Sequence, residues 1–405
     1  MGGTKDATGG GRRPVGIEPT DRFAPIGPMD EVRGLDPGRP GTPGLPGAAL
    51  AAIEEAAPDL RAAIVASGRP TGVVTGDLVS YPYPTSFGLW RAARSPAPLL
   101  WLTARMLVVQ WDEPVAARGR GRARAATRTR TLLWCPGDHE HASSTPVAVR
   151  LRNRSVVPDR FLQTPRGSVL GHLRALGIDP AEVDYVAFDH LQVRDVRRLL
   201  GTTRPAPDLG APDAPLEGWL PNATLVTSAR EWQELRQLHP LQVPWYQPET
   251  FRDLDPSRIA LVAGDVELGP GVVLVSAPGH TAGSVSLALN TDEGVWVSSS
   301  NGVAAEAYAP RASRIPGLRR FAVDWSQEVV LNGNTPEFAA WHYDAMVLER
   351  SLADTTPDAP FPRCFPVAEL TASRLAPGLA PTFTHGAVTS GTVRGRLDGG
   401  TAAVA

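Results

Sequence analysis

The chain has 405 residues, 42% of them hydrophobic and 20% charged, with a formal net charge of −2 at pH 7. That length and apolar content suffice to bury a large core, and sandwich folds of this size often form one unit. A charge so near zero sets up no global field toward nucleic acid or an anionic membrane, and apolar runs such as Pro98–Leu102 and Met106–Val109 are strand-sized, too short to cross a bilayer.

Cys135 and Cys364 are too few for a disulfide framework, and the polar, Gly- and Pro-rich start carries no charged-then-apolar leader pattern. The expectation is a soluble cytoplasmic protein. Lys5 is the sole lysine among the basic residues, a bias that fits a GC-rich bacterial genome. Residues 1–45 lack apolar periodicity and are expected to form a flexible or loosely draped arm. In the segment 46–75, Leu50, Ile53, Leu60, Ile64 and Val65 recur at helical spacing, which predicts one helix with a break expected near Pro58.

Strand patterns follow at Val73–Tyr81, Ser86–Ala92, Leu99–Ala104 and Met106–Trp111. Residues 117–130 carry arginines at 118, 120, 122, 124, 128 and 130 before a strand at Thr131–Trp134. Without interleaved aromatics, and in a slightly acidic protein, this run reads as a solvated loop rather than a phosphate-binding surface. Helices are expected at Gly167–Leu176, Asp195–Leu200 and Glu231–Leu238, the last capped by Ser228. Strands are expected at Val183–Phe188, Ala223–Thr227, Val266–Leu268, Val272–Ser276, Ser284–Leu289 and Gly294–Ser299. The Pro-rich stretch from Thr202 to Pro215 reads as a surface loop or a lid. Runs of strands with interspersed helices point to layered sheets flanked by helices.

Three stretches, in order, resemble the metallo-β-lactamase superfamily, especially its lactonase-like branch. The Gly177–Pro180 turn and the strand Val183–His190 are similar to the segment that delivers the family's His-x-His-x-Asp-His motif. Leu220–Ala223 through Glu231-Trp232 looks like the strand–helix unit that follows, and Ala277–Ser284 is similar to the family's Pro-Gly-His-Thr-Pro-Gly turn. The resemblance covers about residues 75–370. It implies an α/β (α+β) fold, the metallo-β-lactamase-type αββα four-layer sandwich, over 76–390, with a C-terminal tail at 391–405 and the N-terminal extension described above.

The same resemblance implies a degenerate metal site. His190 and His280 match metal-ligand positions; Gln192 stands where the second histidine would be, Arg194 at the aspartate and Asp195 at the third histidine. Asn301 replaces the bridging carboxylate, and no histidine lies near Phe365–Ala368. A fixed cation at a cation site is costly: two unit charges about 4 Å apart repel by roughly 4 kcal/mol at an effective dielectric near 20. The expectation is a site without a metal cofactor. Arg194 would pair with Asp189 or Asp195, closing a structural cluster, or would take a small, anionic ligand together with Gln192 and Asp189. Asp195 and Asn301 are the candidate catalytic residues. The alternative is a divergent hydrolase of an ester, lactone or amide-like bond, holding one zinc through His190 and His280, with His139 and His141 as compensating ligands. Weaker candidates are Ser298, Ser299 and Ser300 as nucleophiles, Cys364 as a thiol, and His385 as a late ligand; His342 reads as a packed helix residue.

Overall fold

The computed structural model describes residues 17–26, 46–115, 126–138, 145–154, 163–247, 249, 251–357 and 359–396. His139, His141 and four of the arginines, 118, 120, 122 and 124, lie outside the described residues.

Two sheets carry the architecture. The larger has the order β10 (Ile259–Val262), β9 (Thr224–Ser228), β6 (Tyr185–Ala187), β4 (Ala126–Trp134), β3 (Leu99–Val115), β2 (Gly72–Pro84) and β17 (Thr389–Gly391). Two short strands, β16 (Ala368–Thr371) and β5 (Thr164–Pro165), join β3 and β2. β2, β3 and β4 run antiparallel, whereas β4, β6, β9 and β10 are parallel. The second sheet has the order β1 (Ala24–Pro25), β11 (Val266–Gly269), β12 (Val272–Ser276), β13 (Val285–Thr291), β14 (Gly294–Ser299) and β15 (Cys364–Pro366).

The period-two rule assigns each face of the second sheet. On β12, Val272 and Leu274 join the inter-sheet core with Leu107, Val109, Trp111, Leu132, Trp134, Leu287 and Leu289. Their neighbours Val273 and Val275 turn the other way, with Ala288, Val295 and Val297. That outer face is covered by Ala57, Leu60 and Ile64 of helix α1 (Pro46–Ala66) and by Leu348 and Leu352 of helix α5 (Ala339–Leu352). Helices α3 (Val169–Ala175) and α4 (Ala229–Glu234) pack on the larger sheet, through Val169, Leu173, Ala229 and Trp232. The expected αββα layering is present. Helix α2 (Pro146–Arg154) contributes Val147 and Ala148 to the lining of a cavity at the strand ends.

Four local expectations differ. α1 runs through Pro58; Pro58 and Glu54, whose carbonyl loses its donor, are both exposed, which lowers the cost of the proline. Ser86–Ala92 is no strand: Thr85–Gly88 forms a short helix, with Thr85 Oγ1 donating to the Ala97 carbonyl. Residues 17–26, inside the expected arm, pack on the sandwich, where Phe23 is buried and Ala24 pairs with Glu267. The stretch 202–215 belongs to a hairpin of β7 (Gly201–Ala206) and β8 (Ala211–Glu217).

Arg128 and Arg130 sit on β4, and both pair with Asp184; Arg130 also pairs with Glu113. Two arginines of the run are thus ion-paired within the fold. Among the described residues no helix is long and apolar enough to cross a membrane.

Candidate functional site

A cavity of about 480 Å³ opens beside the ends of the parallel strands, lined by Tyr81, Phe87, Leu102, Trp245 and Val303 among apolar groups. His190, Gln192, Arg194, His280 and Ser300 line it as well. The segment after β6 and the turn after β12 thus bring together most of the residues singled out by their motif positions.

The backbone at this floor is strained. Val193 has φ 53° and Cys135 φ 52°, and both line the cavity. The left-handed region is hostile to a β-branched side chain and costs about 1–3 kcal/mol, so it persists only where the surroundings impose it. The Val193 N–H donates to the Trp245 carbonyl at 2.8 Å, which holds Gln192 and Arg194 on either side of the kink.

The two imidazoles lie side by side, with ring centroids 4.5 Å apart; His342 stands 5.6 Å from His280. Burial, with His190 and His342 nearby, pushes His280 well below the ordinary histidine range. Burial likewise pushes His342 down to about 4, while its Nε2 bonds the Asn301 carbonyl at 2.8 Å. His342 is the packed helix residue expected.

Asp189 is buried between His190 and the Arg194 guanidinium. Its Oδ2 lies 3.1 Å from His190 Nδ1, off the axis of a hydrogen bond, and its Oδ1 lies 3.8 Å from Arg194 Nη2. Burial alone would raise its pKa; His190, Arg194 and the Ser300 hydroxyl outweigh it and hold the carboxyl below its usual range. The Arg194 guanidinium lies over the Phe188 ring at 5.3 Å and close above Gly137, where a Cβ would stand 3.1 Å from Nη1. Tyr81 is pushed up to about 12 by burial, against the pull of Arg194.

Three expectations change. Asp195 does not line the cavity. Its carboxylate takes the Arg197 side chain at 2.6 and 3.0 Å and the Arg197 N–H at 3.1 Å, and Arg197 also holds Asp208. The Arg197 guanidinium thus engages the Asp195 carboxylate away from the cavity. Asn301 also lies outside the cavity lining: its Nδ2 donates to Glu349 at 2.7 Å, in a buried network with Tyr308 and Ser286. His385 stands among Trp296, Phe365 and Phe383, away from the cavity. Of the serines, Ser298 accepts from Trp134 Nε1 and Ser299 from the Asn301 N–H, leaving Ser300 at the cavity. Cys364 is buried in β15, and burial pushes its thiol up.

Glu231 is the site residue the sequence concealed. It is fully buried and accepts from the Leu191 N–H at 2.8 Å, the Tyr246 hydroxyl at 2.7 Å and the Thr281 hydroxyl at 2.5 Å. Leu191 and Thr281 each follow one of the two cavity imidazoles, so one carboxyl ties both loops. The pattern Ser228-x-x-Glu231 suggests a capping box, but only the Ser228 half forms.

No protein-family model and no curated protein matches the chain. Similar solved structures include an N-acyl homoserine lactone hydrolase with the product N-hexanoyl-L-homoserine at its catalytic metal center. It is 17% identical, over 64% of this chain and 90% of that one, at TM-score 0.40. A probable metal-dependent hydrolase from Staphylococcus aureus is 11% identical, over 69% and 84%, at TM-score 0.43. AidC, a dizinc quorum-quenching lactonase, is 11% identical, over 56% and 69%, at TM-score 0.33. The αββα architecture of this chain stands on its own layers: two facing sheets, helices outside each, and a floor at the ends of parallel strands.

A metal centre of the kind the motif resemblance implies can be tested against these residues. His190 Nδ1 and His280 Nδ1 are both buried without a hydrogen-bond partner. Yet among the described residues no three His, Cys, Asp or Glu side chains come together as a metal-holding group. Asn301 is turned to Glu349, Asp195 to Arg197, and a guanidinium lies beside Asp189. The described donor set does not fit the dinuclear centre.

Proposed function

We propose that this protein binds a small amphipathic anion in the cavity, with Arg194 as the anion contact and the site acting without a metal. The observation that carries the reading is Arg194 itself, at the cavity floor 3.8 Å from Asp189 and with its guanidinium over the Phe188 ring. Its fork of five N–H donors suits bidentate recognition of a carboxylate or phosphate. The Tyr81, Phe87, Leu102 and Trp245 walls supply apolar contact for the rest of the ligand, the usual composition of a small-molecule site. The strained Val193 supports the same reading, since it fixes the direction of Arg194 at a conformational cost.

The competing reading is a single-zinc hydrolase of an ester, lactone or amide-like bond, favoured by the facing imidazoles with unpartnered Nδ1 atoms. Metal analysis of protein purified without chelator, before and after zinc incubation and dialysis, separates the two. Near-zero metal in both samples, with 3-phenylpropionate binding lost by about tenfold or more in Arg194→Met, is expected. About one equivalent of zinc per chain, lost in His280→Ala, would overturn the anion-pocket reading.

A further inference from the structure

We propose that the Tyr81 hydroxyl is a second donor to the ligand's anion, set beside the Arg194 guanidinium, and that it fixes which end of the cavity the anion occupies. This rests on the anion-pocket reading of Arg194.

Tyr81 lies on β2 and lines the cavity. The same strand comes up against Arg194: a Cβ on Gly137 would stand 3.1 Å from Arg194 Nη1 and 3.8 Å from Cδ1 of Leu78, three residues before Tyr81. Two charged side chains act on the phenol, Arg194 favouring its ionisation and Asp189 opposing it. Its surroundings are therefore those of the anion contact.

The hydroxyl nevertheless has no hydrogen-bond partner among the described residues, where tyrosines packed into apolar walls ordinarily find one. Asp189 is committed elsewhere, to the Cys135 thiol at 3.4 Å and to the Ser300 hydroxyl. Burial pushes Tyr81 up to about 12, so at neutral pH it keeps its proton and adds no negative charge against an incoming anion. A neutral O–H next to a guanidinium gives a carboxylate a donor for each oxygen.

Tyr83, two residues on and on the same face of β2, makes the contrast. It also lines the cavity, but donates its hydroxyl to Asn332 Oδ1 at 2.9 Å. Its ring meets Phe87 edge-on at 6.2 Å, and Phe87 meets Trp245 at 5.8 Å. Along β2 the wall thus passes from a spare donor to aromatic surface within about 7 Å. That is the span of a short arylalkanoate with its carboxylate at Tyr81.

The test titrates the full chain calorimetrically, as parent and as Tyr81→Phe, with 3-phenylpropionate and its neutral counterpart 3-phenylpropanol. Tyr81→Phe is expected to weaken 3-phenylpropionate about tenfold or more, the scale of one charge-assisted hydrogen bond, and to weaken the alcohol less. Its urea unfolding midpoint should match the parent's, because the hydroxyl it removes has no partner within the fold. Unchanged 3-phenylpropionate affinity in Tyr81→Phe, or equal losses for the two probes, overturns the Tyr81 contact and leaves the Arg194 pocket standing. A lowered midpoint overturns it as well, by showing that the hydroxyl is spent inside the fold. Failure of the parent to bind 3-phenylpropionate overturns the Arg194 reading, and the role of Tyr81 falls with it.

Discussion

Removing the Glu231 carboxyl is expected to loosen both imidazole-bearing loops at once. In Glu231→Ala the Leu191 N–H loses its acceptor, and the Tyr246 hydroxyl is left buried without the 2.7 Å contact. The Thr281 hydroxyl keeps Ser284 at 2.9 Å and suffers less. Two orphaned buried donors at about 1–3 kcal/mol each, softened by rotation of the tyrosine hydroxyl, give a loss of about 3 kcal/mol. Glu231→Gln keeps one acceptor oxygen but turns an amide NH₂ toward donors, for about 1–2 kcal/mol. Equilibrium urea unfolding followed by tryptophan fluorescence measures both, and Tyr246→Phe closes a double-mutant cycle in which Glu231 and Tyr246 should couple by more than about 0.5 kcal/mol. Glu231→Ala within about 0.5 kcal/mol of the parent, or strict additivity with Tyr246→Phe, would refute the argument that one carboxyl holds the site together.

Further outcomes follow from neighbouring features. Arg197→Met strands Asp195 at low exposure and should cost about 3–5 kcal/mol in the same unfolding assay, whereas Asp195→Asn should leave 3-phenylpropionate affinity unchanged; a loss of affinity in Asp195→Asn would restore it as a site residue. Burial raises the Asp344 pKa from 3.8 to about 7. The folded chain therefore holds a proton that the unfolded chain releases between pH 4 and 7, and this contribution to stability falls as pH rises through that window. Asp344→Asn should accordingly gain on the parent from pH 4 to 7 and hold its lead above, and a pH-independent difference would count against the buried carboxyl. A Cβ at Gly279 would stand 2.6 Å from the His342 Cα, so Gly279→Ala should displace the His280 turn from α5, costing about 1–3 kcal/mol together with ligand affinity; calorimetry on a folded variant with intact affinity would contradict this.

The legible parts of the chain were those in which local pattern and global packing agree. The strands β11 to β14 are short β-rich runs punctuated by Gly269-Pro270-Gly271 and the Asn290–Glu293 turn, so their existence needed no distant information. Ser228 capped its helix as its type and place require. Ser86–Ala92 misled because Phe87, Leu89 and Trp90 suggest a strand, whereas the Thr85 hydroxyl bonded to the Ala97 carbonyl starts a helical turn there. β15 and β16 are short, and β15 ends in proline, so neither announces itself. At the site, motif positions located His190, Gln192, Arg194 and His280 at one cavity, but they could not say that Asp195 would turn to Arg197 or Asn301 to Glu349. Those choices depend on which partner lies within hydrogen-bonding reach after folding. Glu231 has a role that only the assembled loops create.

The strap 17–26 touches both sheets: Ala24 and Pro25 pair with β11 of one, while Pro19 bridges Leu261 of β10 in the other. At the opposite border of the larger sheet, β17 lies along β2. Segments near both ends of the chain therefore occupy sheet borders, where bare N–H and C=O rows invite pairing between molecules. A shortened chain spanning 46–388 would keep the cavity and all of the inter-sheet core but Phe23 and Val393, yet present raw β10, β11 and β2 borders, and its expected failure in solution is self-association before unfolding.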